Sequence, residues 1–154
     1  MDVGAGDGAY VLYRARREPD TFAIAIDASP DGLACGAWRA KRAGLSNIAF
    51  LVEGVERLPP RLSQIANEVT VHFPWGSLLR GLVDASPGIV GPIADLLKPG
   101  AELRVLVSAV DRDGVGEATR RFPPRRPRAL LAARSPALPP DSRLAPSRSC
   151  VRRW

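Results

Sequence analysis

The stretch "DVGAGDG", residues 2–8, carries the strongest indication of the fold. Its glycines at positions 4, 6 and 8 lead directly into a helical segment. A glycine-rich turn that opens a helix lets the backbone approach a ligand, and it directs N–H groups and the positive end of the helix dipole toward that ligand. The stretch therefore predicts the first strand-to-helix connection of an α/β sheet, with a binding site at its edge.

Short apolar runs alternate with helical segments through the first 115 residues. Asp27 or Ser29 is a possible cap of the second helix. Alternation of this kind predicts a parallel, doubly wound sheet with helices on both faces. Strands are predicted at 22–26, 47–54, 68–73 and 101–110, and helices at 8–17, 30–43, 77–84 and 87–97.

Polar stretches follow the predicted strands at their carboxyl ends, where open parallel sheets bind ligands. After the glycine turn these are "DAS" at 27–29, "EGVERLPP" at 53–60 and "FPWGS" at 73–77. One ligand is expected to contact all four stretches.

An aspartate at the end of the next strand, Asp27, stands 21 positions after Gly6. This arrangement is typical of sites that hold the two hydroxyls of an adenosine ribose, although a structural turn with a helix cap is the alternative. Asp2 decides between two cofactor classes, because its carboxylate would repel a pyrophosphate and attract a sulfonium with an amino group. The residues thus favour S-adenosylmethionine over a dinucleotide.

The positive charge of the chain is confined to its end. The net charge of +6 divides into −2 for residues 1–115 and +8 for residues 116–154, and the second segment holds 7 of the 15 prolines. We interpret 116–154 as a disordered tail. It is either a basic arm that holds RNA through phosphate contacts or a non-native end produced by a shifted reading frame.

The remaining composition predicts a soluble protein of the reducing cytoplasm without metal, and a monomer is the expectation. Cys35 and Cys150 match no metal-ligand or disulfide spacing. No apolar run reaches the roughly 18 residues of a membrane span. His72 is the single histidine, and its place within a strand run does not favour a metal or base role.

Four motifs together resemble one enzyme family. "DVGAGDG", "AIDAS", "VERLPP" and above all "FPWGSLLRG" are similar, in order and spacing, to the aminoglycoside-resistance methyltransferases that modify N1 of an adenine in the decoding site of 16S rRNA. The resemblance covers about residues 1–115. It implies a Rossmann-like class I S-adenosylmethionine-dependent methyltransferase sheet, and 16S rRNA in the small ribosomal subunit as the partner.

The resemblance assigns roles to individual residues. Trp75 would stack on the target adenine after the base has swung out of its helix, which makes it the catalytic positioning residue. Adenine N1 needs no base to activate it, so no general base is assigned. The cofactor-binding residues implied are Asp2, Gly4, Gly6, Asp27, Val55, Glu56, Pro74 and Ser77. A core indole is the alternative for Trp75, and a solvated carboxylate the alternative for Glu56.

The resemblance also suggests a basic RNA-binding surface after the second strand. "WRAKR" supplies Arg39, Lys41 and Arg42, and Arg80 is a weaker candidate. The alternative is a solvated helix face.

Two departures from the family pattern shape the expectations. With Met1 directly before Asp2, the central strand is expected to be absent or a stub, in a chain truncated at its amino terminus. After about Val115 the family's second tryptophan segment has no counterpart. Two alternatives to an active enzyme therefore remain. The chain is an inactive relic of such an enzyme, or it is an RNA-binding module that uses its basic tail.

Overall fold

The structure, a computed structural model, describes residues 1–108 and contains one five-stranded sheet. All strands are parallel, in the order β3-β2-β1-β4-β5. The strands are β1 (Asp2–Val3), β2 (Ala23–Asp27), β3 (Ile48–Val52), β4 (Ala66–His72) and β5 (Leu97–Leu106). This order confirms the predicted doubly wound sheet and places the change of winding direction between β1 and β4.

Helices lie between the strands at nearly the predicted positions. They are α1 (Ala9–Arg17), α2 (Pro30–Arg42), α3 (Gly76–Val83) and α4 (Pro87–Asp95), with short 3-10 turns at Val55–Arg57 and Pro60–Leu62. Ser29 occupies the position before α2, but its side chain makes no capping hydrogen bond. Asp27 instead accepts a hydrogen bond from the Ser29 N–H.

Hydrophobic clusters lie on the two faces of the sheet. Ala23 and Ala25 of β2 are buried with Val11 and Ala15 of α1 and with Leu33 of α2. The alternate position on β2, Ile26, is buried on the other face, since side chains of a strand point to opposite sides in turn. There it joins the cluster formed by Val3, Val69, Val71, Ile89, Ile93 and Leu96.

The central strand β1 is short, as the sequence led us to expect. Asp2 is in register with Ala25 of β2 and with Thr70 of β4, so two residues connect the halves of the sheet. Beside them, at the amino ends of β2 and β4, lies a cavity of about 400 Å3. Its lining includes Ile24 and Glu68, and it lies at the edge of the sheet opposite the glycine turn.

The start of β5 differs from the prediction. We expected a helix through residue 97 and a strand from 101, whereas Leu97 already pairs with Ala66 of β4. The next pair is Glu68 with Glu102, so β5 contains three residues more than β4 over this interval and bulges at Lys98–Gly100. The pairing across the sheet overrides the turn signal of Pro99 and Gly100.

Some predicted features lie outside the described residues. They are residues 109 and 110 of the predicted strand and the predicted tail at 116–154 with Cys150.

Gly36 of α2 packs directly on the glycine turn, which leads to a stability prediction. A Cβ atom at this position would collide with the carbonyl oxygen of Asp7 and lie 2.7 Å from Phe50 Cε1. We expect Gly36→Ala to lower the free energy of unfolding by about 1–3 kcal/mol, the usual cost of overpacking. Urea unfolding followed by circular dichroism measures it.

The matched control is Gly88→Ala in α4, where an added Cβ meets nothing within 4 Å. Because alanine favours the helix, this variant should be neutral or more stable by up to about 1 kcal/mol. Equal stability of the two variants would show that α2 can move away from the turn without cost.

Candidate functional site

The glycine turn between β1 and α1 forms the floor of the site. Gly4, Gly6 and Gly8 have φ angles of +73°, +57° and +70°, a region that side chains other than glycine rarely adopt. The N–H groups of Gly4 and Ala5 donate to the Ile26 carbonyl at 2.9 and 3.0 Å, which fixes the turn to β2. A Cβ at Gly6 would meet nothing within 4 Å, so the outer face of the turn is open.

Asp27 ties the glycine turn to the end of β2. Its Oδ2 accepts a hydrogen bond from the Gly6 N–H at 2.8 Å, and its Oδ1 accepts one from the Ser29 N–H at 2.8 Å. The carboxylate remains partly exposed at the carboxyl edge of the sheet. Because an ionised carboxylate has about four acceptor positions, Asp27 keeps acceptor capacity for a ligand's hydroxyl groups.

Asp2 is a buried carboxylate at the point where the winding direction changes. It is 3% exposed, and its Oδ1 lies 2.7 Å from Thr70 Oγ1 and 3.1 Å from His72 Nδ1. Burial raises the pKa of the Asp2 carboxyl above its ordinary value, while the Thr70 hydroxyl and the His72 ring act in the opposite direction. The site thus places a carboxylate in a setting of low polarity, where its attraction for a cation is strong.

The segment after β3 approaches Asp27 through its backbone. The Glu53 N–H donates to the Asp27 carbonyl at 2.9 Å, and Glu53 Oε1 accepts from the Gly54 N–H and from Arg57 Nε, both at 3.0 Å. Val55 is buried in the hydrophobic cluster, whereas Glu56 is exposed. Of the two residues predicted to border an adenine, Glu56 therefore presents its side chain at the surface.

The segment after β4 presents an exposed aromatic side chain. Trp75 is 83% exposed, which excludes the alternative of a core indole. It is held between buried Pro74 and Gly76, whose φ of +62° starts α3. Phe73 has a φ of +49° and is 64% exposed, so a second aromatic ring and a strained backbone adjoin Trp75.

This segment lies beside the glycine turn. A Cβ on Gly4 would come within 2.8 Å of Leu78 Cδ2, so the first turn of α3 packs on the turn after β1. Ser77, between Trp75 and Leu78, is exposed in that first turn. The carboxyl edge thus brings together the predicted site residues of β1, β2 and the 73–77 segment.

The predicted basic surface is divided between two environments. Arg39 donates to the Asp7 carbonyl at 2.7 Å and forms an ion pair with the Asp7 carboxylate at 2.8 Å, so it supports the glycine turn. Lys41 and Arg42 are exposed in the last turn of α2, which runs antiparallel to the strands and ends toward their amino edge. The Arg42 guanidinium lies 4.8 Å from the ring centroid of Trp38. Arg80 is exposed on α3.

Sequence reasoning missed the side chains that contact the predicted site residues. Thr70 and His72 both reach Asp2 from β4, and Asp7 holds Arg39. A signal for the first pair existed, since residues two apart on a strand point to the same side. Nothing local in the sequence marks the Asp7–Arg39 pair, which joins positions 32 apart.

Residues 1–108 hold neither a helix that could cross a membrane nor a cluster of side chains that could bind a metal ion. None of the helices there is long and apolar enough to cross a bilayer. Within the same range, no group of three or more His, Cys, Asp or Glu side chains is arranged to hold a metal ion.

The chain is similar in sequence to known 16S rRNA methyltransferases. The family profile described as "NpmA: 16S rRNA (adenine(1408)-N(1))-methyltransferase" matches residues 1–127. The enzyme of that name from Streptoalloteichus tenebrarius is 38% identical over 112 residues, which is 70% of this chain and 51% of the relative. The chain therefore spans about half the length of the curated relatives it matches.

Solved structures of related enzymes superpose on the chain. The aminoglycoside resistance methyltransferase NpmB1 is 37% identical with a TM-score of 0.70, over 77% of this chain and 60% of that one. A W203A mutant of the 16S rRNA (adenine(1408)-N(1))-methyltransferase from Catenulisporales acidiphilia, solved with the cosubstrate SAM, is 28% identical with a TM-score of 0.70, over 79% of this chain and 57% of that one. With a family profile matched over most of its length, the chain belongs to the NpmA family of 16S rRNA (adenine(1408)-N(1))-methyltransferases.

Proposed function

We propose that this protein binds S-adenosylmethionine at the carboxyl edge of its sheet and transfers the methyl group to N1 of adenine 1408 in 16S rRNA of the small ribosomal subunit. Family membership supports the reaction, and the cosubstrate of the Catenulisporales acidiphilia relative supports the cofactor. Modification of this base by the family's aminoglycoside-resistance enzymes is the basis for expecting resistance to those drugs. A ribosomal substrate also agrees with a cytoplasmic location.

The described residues fit this cofactor. The open face of the turn at Gly6 leaves room for a ligand against the backbone, and Asp27 retains acceptor capacity beside it for a ribose. Asp2 and Asp27 both contribute carboxylates, which suits a cationic ligand and opposes a pyrophosphate. The donor set therefore favours S-adenosylmethionine over a dinucleotide.

The chemistry requires little more from the protein than orientation. S-adenosylmethionine supplies a methyl carbon on a positively charged sulfur, and the lone pair of adenine N1 takes that carbon as the carbon–sulfur bond breaks. Trp75 holds the base by stacking, and Pro74 with Gly76 fixes the backbone that carries the indole. Alignment of the two reacting atoms is the main contribution to the rate, so no general base is needed.

The single observation that carries the proposal is the exposure of Trp75 beside the glycine turn. Burying an indole contributes to stability, so an indole that is 83% exposed is more consistent with a binding surface than with packing. Leu78, three residues later, packs on Gly4 and so links the indole's segment to the turn. These formed contacts do not favour the alternative of an inactive relic.

Asp27→Ala is the first test of the cofactor site. Loss of a hydrogen bond to a charged group costs about 1.5–3 kcal/mol, so we expect the affinity for S-adenosylmethionine to fall by tenfold or more. Isothermal titration of the 154-residue chain measures this. Asp20→Ala, an exposed aspartate at the opposite edge of the sheet, is the control and should bind as the parent protein does. Equal affinity of both variants would contradict the assignment of Asp27.

Trp75→Ala tests the base-stacking role. Stacking of a base on an aromatic ring contributes about 1–3 kcal/mol, so methyl transfer to small ribosomal subunits should slow by roughly fivefold to a hundredfold in kcat/KM. The affinity for S-adenosylmethionine should not change, and Trp75→Phe should keep part of the activity. Phe22→Ala, which removes an exposed aromatic ring at the opposite edge, is the control. Full activity of Trp75→Ala would refute the role.

The double variant Lys41→Glu with Arg42→Glu tests the basic surface. Because each phosphate contact releases counterions, the variant should bind small ribosomal subunits more weakly, and log Kd should depend less steeply on log salt concentration. Binding of S-adenosylmethionine should stay as in the parent protein, since neither side chain lies at the carboxyl edge. An unchanged salt dependence would contradict the RNA contact and show that Lys41 and Arg42 belong to a solvated helix end.

A further inference from the structure

The single histidine of the chain lies beside a buried carboxylate of the site. His72 is the last residue of β4, and its Nδ1 is 3.1 Å from Oδ1 of Asp2. Because an ionised carboxylate only accepts hydrogen bonds, the contact requires an N–H at Nδ1 of the ring. His72 is therefore a hydrogen-bond donor to one of the two carboxylates that our proposed function offers to the cationic cofactor.

The ring of His72 is held from its other side by α1. The Tyr10 ring packs edge to face on it, with centroids 4.2 Å apart and planes at 63°. The Tyr10 hydroxyl in turn accepts a hydrogen bond from Arg14, which is itself paired with Glu68 of β4. The His72 ring is thus in contact with α1 as well as with Asp2.

Thr70 completes the support of Asp2. It stands two residues before His72, on the same side of β4, and its hydroxyl is 2.7 Å from the same oxygen, Oδ1. The Thr70 hydroxyl is also 3.3 Å from the Met1 carbonyl, a longer contact. Both hydrogen bonds that the described residues make to this carboxylate thus go to Oδ1, and Oδ2 receives none from them.

We propose that His72 is a positioning residue of the cofactor pocket, which acts with Thr70 to hold Oδ1 of Asp2 so that Oδ2 meets the cationic end of S-adenosylmethionine. This inference rests on the proposed function, because it assumes that cofactor. It adds a specific role for the histidine, which needs neither a metal nor a proton transfer in the reaction.

The hydrogen bonds from Thr70 and His72 to Asp2 affect how cofactor binding depends on pH. Burial raises the pKa of Asp2, and the contacts with Thr70 and His72 oppose that rise. The amino group at Met1 also favours the charged carboxylate, whereas the β2 residue in register with Asp2 is uncharged Ala25. Only the ionised form of Asp2 attracts a cation. Affinity should therefore be full above the Asp2 pKa and fall as pH drops through it.

His72→Leu removes the donor, so the pKa of Asp2 should rise further and the fall in affinity should begin at a higher pH. At neutral pH we expect binding of S-adenosylmethionine to weaken by about tenfold or more. His72→Asn keeps an N–H donor near the position of Nδ1 and should retain most of the affinity. Thr70→Val removes the other donor with little change of shape, and it should act in the same direction as His72→Leu.

The first measurement is the affinity for S-adenosylmethionine, determined by titration calorimetry at a series of pH values. The thermal midpoint of each variant is the folding control. The second needs no cofactor: carboxyl 13C NMR of the free protein follows ionisation of Asp2, which should shift to higher pH in His72→Leu and return in His72→Asn. Affinity of His72→Leu within twofold of the parent at every pH, or an unchanged Asp2 titration, would overturn the inference.

The two proposals fail in different ways. A parent protein that does not bind S-adenosylmethionine, or an Asp27→Ala variant that binds as the parent does, counts against the proposed function. A parent that binds normally, combined with a His72→Leu variant that binds equally well, counts against the role of His72 alone.

Discussion

The site depends on a close approach between the glycine turn and α2 that leaves no space for side chains. Cβ atoms on Gly32 and Gly36, one turn apart on α2, would lie against the carbonyl oxygens of Gly6 and Asp7 respectively. The close packing against α2 therefore restricts the path of the turn on this side. On that path the Gly6 N–H donates to Oδ2 of Asp27, so the packing of the turn also bears on the position of this carboxylate.

Charge at the site is organised by pairing across elements. Asp2 is buried and supported from β4, whereas Asp27 is partly exposed and supported by backbone N–H groups. Arg39 is directed toward Asp7 of the turn and thereby braces the same backbone from α2. Arg39 is thus used for structure, as the partner of Asp7 and not of Asp2 or Asp27.

Much of the fold was predictable because its signals are local. The apolar runs, the glycine turn and the "FPWGS" stretch each occupy a few consecutive residues, and the predicted helices agree with the structure to within about two residues at each end. The prediction was wrong for the start of β5, where pairing of Leu97 with Ala66 outweighs a Pro-Gly signal. The support of Asp2 was equally hidden, because Thr70 and His72 are 68 and 70 positions away along the chain.

The exposure of Trp75 follows from the same geometry that fixes its backbone. Phe73 leaves β4 with a left-handed φ, Pro74 turns inward and is buried, and Gly76 begins α3 with a second left-handed φ. Trp75 lies between these two positions and is 83% exposed, while Leu78 packs on Gly4. A rigid backbone that carries an exposed ring loses little conformational entropy when a base stacks on it. The strain at Phe73 is consistent with a segment selected for how it presents Trp75, rather than for its own stability.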